Sequence, residues 1–267
     1  THHAGVAEEH MDVYEALLKK NKLPMRVHAF IAARMYNINL VNKWLEKGPT
    51  TDDASFLQVR NFKAYYDGSL GSRGAKFLED YTDKKGHTGV SGLAYGFHED
   101  MIIKALDAGF QLAIHAIGDK ANRDVLDLYE NYFKAHPKSK ELRHRIEHVQ
   151  IVHPDDFSRF SKLNIIASME PAHAVEDMPW AIDRVGEKRA KGAYAWRTLR
   201  NNNLTVIFNS DFTGSDPSFF YGMHSAITKK KKTDDKQWFP EQAFTKEESL
   251  RAYTIWAAYA AKQENLT

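Results

Sequence analysis

The chain has 267 residues, 43% of them hydrophobic, with a formal net charge of +2 and no cysteine. That length suits one large α/β domain or two small ones, with enough apolar residues for a sizeable core. The near-neutral balance gives no electrostatic reason to expect nucleic acid or an anionic membrane as partner. Without cysteine there are no disulfides, thiolate metal sites or cysteine nucleophiles.

Taken in order, residues 7–22 have helical spacing, with Met11, Tyr14, Leu17 and Leu18 on one face. Arg26 to Ala32 reads as a strand, and a helix follows from about Asn37 to Lys47. Leu57 to Tyr66 is a second strand, running into the turn chemistry of Asp67-Gly68-Ser69-Leu70-Gly71-Ser72-Arg73-Gly74. A long loop leads to a helix from about Glu99 to Ala108. The apolar run Phe110 to Ile114 is a third strand, ending at His115, and its helix runs to about Ala135. Arg145 to Gln150 is the fourth, ending around His148, with a helix starting near Pro154. Asn164 to Met169 is the fifth, ending at Glu170-Pro171-Ala172-His173. A long loop and a helix near Ala195 to Arg200 precede the sixth, Thr205 to Asn209, which leads into Ser210-Asp211. A helix follows Asp216-Pro217, and Lys246 to Lys262 is a final helix. Lys229-Lys230-Lys231-Lys232 reads as a solvated loop. No run approaches the ~18 apolar residues of a membrane helix, and no signal-peptide pattern opens the chain. A soluble, cytoplasmic protein is the expectation.

Strands alternating with helices imply a parallel sheet with right-handed crossovers. The Gly-rich turn at 67–74 does not match a phosphate loop, whereas chemistry spread over many strand ends suits a barrel. Six strands are two short of an eight-stranded barrel.

Four strand ends present groups that could converge: Lys63, His115, His148 and Asp211. Neutral imidazole and carboxylate suit zinc or a similar divalent ion. Asp211 could bind that metal and hold the proton of a bound water, whose pKa falls from about 15.7 to about 7. An ammonium is a poor ligand, but a carbamate on Lys63 would be a carboxylate able to bridge two ions. The bland reading is that each histidine is structural and Lys63 salt-bridged. His28 reads as structural, and His2, His3, His10 and His98 as surface residues. His173 is open between a structural and a substrate-facing role. Glu147 reads as pointing away from His148, a partner of Arg145 or Arg143.

Six segments in order carry a resemblance: Lys63 to Arg73, His115 to Ala121, Arg145 to Gln150, Ala167 to His173, Ser210-Asp211-Phe212 and Ala252 to Ala260. Together they resemble the amidohydrolase superfamily, in the family 3 branch of N-substituted formamide deformylases and proteins labelled exoenzyme regulatory protein. The resemblance covers the whole chain. It implies a (β/α)8 TIM-type barrel of metal-dependent hydrolases, with residues 1–267 holding strands three to eight. It implies His115, His148 and Asp211 as metal ligands and Lys63 as a carboxylated, bridging lysine. Asp211 would also be the general acid/base, with His173 and Arg73 facing a small-molecule substrate. The implied activity is hydrolysis of non-peptide C–N bonds by metal-activated hydroxide, with one or two divalent ions, zinc being the usual choice for such ligands.

The family's His-x-His pair and its small β-sandwich have no counterpart in these residues, and Glu170 stands where relatives often carry Gln. The expectation is therefore a partial barrel that by itself binds metal weakly and is inactive. Two alternatives stay open: a regulatory, ligand-binding barrel without turnover, and a deaminase of the same superfamily. Homo-oligomerisation also stays open.

Overall fold

The computed structural model describes residues 1–266. Seven strands alternate with helices: β1 (His2–Val6), β2 (Val27–Ala32), β3 (Leu57–Tyr65), β4 (Gln111–Ala116), β5 (Arg145–His148), β6 (Ile166–Met169) and β7 (Val206–Phe208). The helices are α1 (Glu8–Lys19), α2 (Ile38–Lys47), α3 (Glu99–Asp107), α4 (Asp119–Ala135), α5 (Phe157–Lys162), α6 (Pro171–Asp177), α7 (Ala181–Ala190), α8 (Trp196–Asn201), α9 (Phe219–Thr228), α10 (Lys246–Tyr253) and α11 (Ile255–Ala260).

All strand pairs are parallel, and their spatial order is their chain order, β1 to β7. Parallel strands covered on both faces need apolar residues on both, which is why β4 reads as a near-continuous apolar run. Every residue of β4 is buried. The outer faces pack against amphipathic helices. In α4, Ala121, Val125, Leu126, Tyr129 and Phe133 recur at helical spacing and are buried. Each such large apolar side chain contributes about 1.5–3 kcal/mol by leaving water.

The sheet is curled. Arg145 on β5 lies with Nη1 3.3 Å from His2 Nδ1 on β1, and its guanidinium stacks 4.9 Å from the Phe30 ring on β2. Residues several strands apart thus meet on the inner face, as in a TIM-type barrel. The carbonyl of Ala260 in α11 closes the floor by accepting from Arg145 Nη2 at 2.9 Å and Gln111 Nε2 at 3.0 Å. No described helix is long and apolar enough to cross a membrane.

Several elements differ from the sequence reading. The sheet has seven strands, not six, because His2–Val6 forms β1 and pairs with β2. Its two histidines and a glycine hide any apolar period, and His2 itself packs on the rings of His28 and Phe30. The expected loop after β6 holds α6 and α7. The expected final helix breaks at Thr254 (φ −124°, ψ −96°) into α10 and α11. His28 is structural as expected, buried with Nε2 3.3 Å from Asn61 Nδ2.

Lys229 contradicts the reading of its run as solvated. It is fully buried at the end of α9, its Nζ 3.8 Å from the Trp196 ring and donating to the Tyr194 carbonyl at 3.4 Å. The helix end turns this one lysine inward, while its neighbours stay partly or fully open. Burial pulls its pKa down from 10.5 to about 7. Between those pH values the unfolded chain holds a proton that the folded chain lacks, so stability rises with pH across the window. Lys229→Met is therefore expected to stabilise most at pH 7 and below, the gain shrinking toward pH 10. Urea midpoints of both proteins measure this; a gain independent of pH would contradict it.

Candidate metal centre

The strand ends carry polar side chains to one mouth, where parallel barrels collect their chemistry. Lys63 lies on β3, His115 on β4 and His148 on β5. His173 lies in the first turn of α6, just beyond β6, and Asp211 just beyond β7. Pro171 starts α6 at a position where its missing N–H costs nothing.

His148 ends β5 with φ +77°, and Val149 follows with φ +49°. Left-handed backbone at non-glycine residues costs of order 1–3 kcal/mol each. This turn swings the His148 ring back toward His115, with ring centroids 4.4 Å apart. Glu147 pairs in register with His115, so both leave the sheet on the same face. The sequence expectation that Glu147 faces away from the site is thus corrected, because the turn at His148 breaks the strand's alternation. Arg145 is its partner only at long range, Nε to Oε1 4.0 Å.

His148 Nδ1 lies 2.9 Å from Glu170 Oε2, and Glu170 Oε1 accepts from Asn209 Nδ2 at 2.7 Å. With Asn209 serving one carboxylate oxygen, the other is free to accept the Nδ1–H of His148. That tautomer leaves Nε2 with its lone pair, the arrangement by which a carboxylate orients a metal-binding imidazole. His173 stacks on His148 with ring centroids 6.2 Å apart and planes 13° from parallel. Its Nε2 is 4.0 Å from Asp211 Oδ2. Ligand atoms of His148, His173 and Asp211 all lie within 4.8 Å of one another.

His115 adjoins this trio but turns Nε2 toward Asp67 Oδ1, 3.3 Å away, without the alignment of a hydrogen bond. Asp67 is fully buried and accepts three backbone N–H groups, from Ile117 (3.0 Å), Gly118 (2.9 Å) and Lys76 (2.8 Å). Lys63 Nζ is buried with no hydrogen-bond partner and stands 4.4 Å from the Tyr65 ring centroid.

Burial is the largest influence on the buried groups. It lowers His115 and His148 to about 4, aided by the charges of His148 and Lys63 respectively. Both imidazoles are therefore neutral at neutral pH, as ligation requires. Burial lowers Lys63 against the opposing pull of Glu147, Asp211 and Glu170. Burial also pushes the Glu170 carboxyl up to about 7.

The donor set fits a divalent cation. Two imidazoles and a carboxylate converge, and beside them His115 Nε2 and Lys63 Nζ are buried without partners, a state that polar groups rarely keep. Arg73 stands apart from this cluster in its contacts: its Nε and Nη2 donate to Asp83 at 3.1 and 2.8 Å. Reading strands by their apolar runs passed over Asp67, Asn209 and the orienting role of Glu170. The signal available for all three was position, since each lies at or just beyond the end of a strand.

Comparison with known proteins agrees with this architecture. The chain is 32% identical over 255 residues to Protein LONG AFTER FAR-RED 3 of Arabidopsis thaliana, covering 95% of this chain and 43% of that protein. It is 31% identical over 229 residues to the putative amidohydrolase YtcJ of Bacillus subtilis, covering 82% and 40% respectively. Among solved structures, an uncharacterized metal-dependent hydrolase from Pyrococcus furiosus matches with a TM-score of 0.83 and 28% identity. That match covers 99% of this chain and 52% of the other. The chain thus spans about half the length of the relatives it matches. The sequence profile described as the amidohydrolase family matches residues 4–267, and the chain belongs to that family.

Proposed function

We propose that this chain carries the catalytic centre of a metal-dependent hydrolase acting on C–N bonds other than peptide bonds, in a small-molecule substrate. The observation that carries the reading is the convergence of His148, His173 and Asp211 within 4.8 Å at the strand ends. Family membership and a solved relative titled as a metal-dependent hydrolase support it.

In this reading His148, His173 and Asp211 hold the ion, with His115 and Lys63 beside it. Zinc is the favoured ion, and a carbamate on Lys63 would add an anionic ligand able to bridge a second. A divalent ion there would supply Lewis acidity and lower the pKa of water from about 15.7 to about 7. The protein's own work is orientation and proton movement. Glu170 fixes the His148 ring, and Asn209 fixes Glu170. Asp211 donates its backbone N–H to Asn209 Oδ1 at 2.8 Å, so one asparagine ties both carboxylate-bearing segments. The Asp211 carboxylate is half-exposed toward the mouth, where it can take a proton from water and deliver it to a leaving nitrogen.

Asp211→Asn is expected to lower kcat/KM by about 10²–10⁴-fold, the usual worth of general acid–base catalysis, with the circular dichroism spectrum unchanged. Near wild-type turnover would remove Asp211 from this role. Lys63→Ala is expected to lose activity, and partial recovery with a short carboxylic acid would support the carbamate; full activity without additive would exclude it. Glu170→Ala is expected to weaken zinc binding about 10–100-fold in a chelator competition, because His148 loses its orienting partner. Unchanged affinity would show that Glu170 does not orient a ligand.

A further inference from the structure

Arg34 follows β2 by two residues and lies at the same mouth. Its guanidinium stacks on the Tyr65 ring, 4.4 Å from the centroid. The same ring is 4.4 Å from Lys63 Nζ and 5.4 Å from the His115 ring centroid. The His115 ring in turn lies 4.4 Å from that of His148. Arg34 is thus two ring contacts from the candidate metal ligands.

Its surroundings are built to hold it. Gly96, with φ +73°, comes so close that a Cβ there would stand 2.7 Å from Arg34 Nη1. A side chain at that position would require the guanidinium to shift. Yet among the described residues no carboxylate lies within ion-pair distance of Arg34, and no group accepts a hydrogen bond from its side chain. The other arginines at this end of the barrel are committed: Arg73 and Arg184 both pair with Asp83. Stacking occupies the face of a guanidinium and leaves its N–H edge free, the edge that binds carboxylate in a fork.

We propose that Arg34, stacked on Tyr65, is a carboxylate-binding subsite, and that the substrate carries a carboxylate a few bonds from the scissile C–N bond. Nothing else in the mouth suits this charge so well. Lys63 Nζ is buried beside the candidate metal ligands, and in the hydrolase reading it belongs to that centre. The proposal rests on the hydrolase reading for turnover, but not for binding.

The test compares hippurate (N-benzoylglycine) with its neutral analogue N-benzoylglycinamide, by zinc-loaded turnover and by calorimetric binding. Wild type is expected to prefer hippurate at least tenfold in kcat/KM and in affinity. Arg34→Met is expected to collapse that ratio toward one, mainly through KM, and Arg34→Lys to restore it in part. Thermal melts of both variants exclude unfolding as the cause. If wild type hydrolyses neither compound, the hydrolase reading suffers, while hippurate binding still decides the subsite. The proposal is overturned if wild type does not prefer hippurate in binding, or if Arg34→Met keeps the preference.

Discussion

The buried carboxylate of Asp67 is the constraint on which the mouth of this barrel depends. It sits where β3 ends and accepts N–H groups from Ile117 and Gly118, the link between β4 and α4, and from Lys76 in the long loop after β3. A charge with no exposure is stable only when its oxygens are met by donors, and hydrogen bonds to charged groups are worth about 1.5–3 kcal/mol each. One side chain therefore fixes three backbone segments. It also sets the edge toward which the His115 ring turns. The close approach of Gly118 to Lys76, where an added Cβ would lie 2.0 Å from the Lys76 carbonyl, follows from the same clamp.

From this clamp the site extends across the sheet by a chain of short contacts. His115 meets His148, His148 meets Glu170, Glu170 meets Asn209, and Asn209 meets the backbone of Asp211. The first three links each join one strand end to the next, and the last stays within the segment after β7. Donors and acceptors alternate along this chain, so its polar groups satisfy one another rather than being separately solvated. The floor is organised differently, with Arg145 Nη2 donating to the Gln111 amide and Ala260 carbonyl oxygens and the guanidinium lying over the Phe30 face. Chemistry is thereby confined to one end of the barrel and stability to the other, as parallel barrels generally divide them.

Much of this was legible in the amino acids. β4 and β7 are short apolar runs leading to polar groups, and the burial of both faces makes such runs conspicuous. Lys63, His115, His148 and Asp211 stand at or near strand ends, a placement the apolar runs before them make visible in the sequence. Other features depend on tertiary contact and leave little local trace. β1 is polar because its inner face meets histidine and arginine rather than a greasy core. His148 joins Glu147 on the site's side because His148 and Val149 are left-handed. Lys229 looks like its three solvated neighbours until Trp196 and Tyr194 close around it. The pairing of His148 with His173, and the turning of His115 toward Asp67, are set by contacts between residues tens of positions apart.

The central claim is that the strand-end cluster is a metal centre. Its most direct measurement is a crystal structure of the zinc-loaded protein with anomalous diffraction recorded on both sides of the zinc edge. The account predicts a zinc peak about 2.0–2.2 Å from a ring nitrogen of His148 and a carboxylate oxygen of Asp211, with His173 or His115 completing the ligands. A zinc-loaded crystal with no peak at these residues, or with its zinc bound elsewhere, would contradict it.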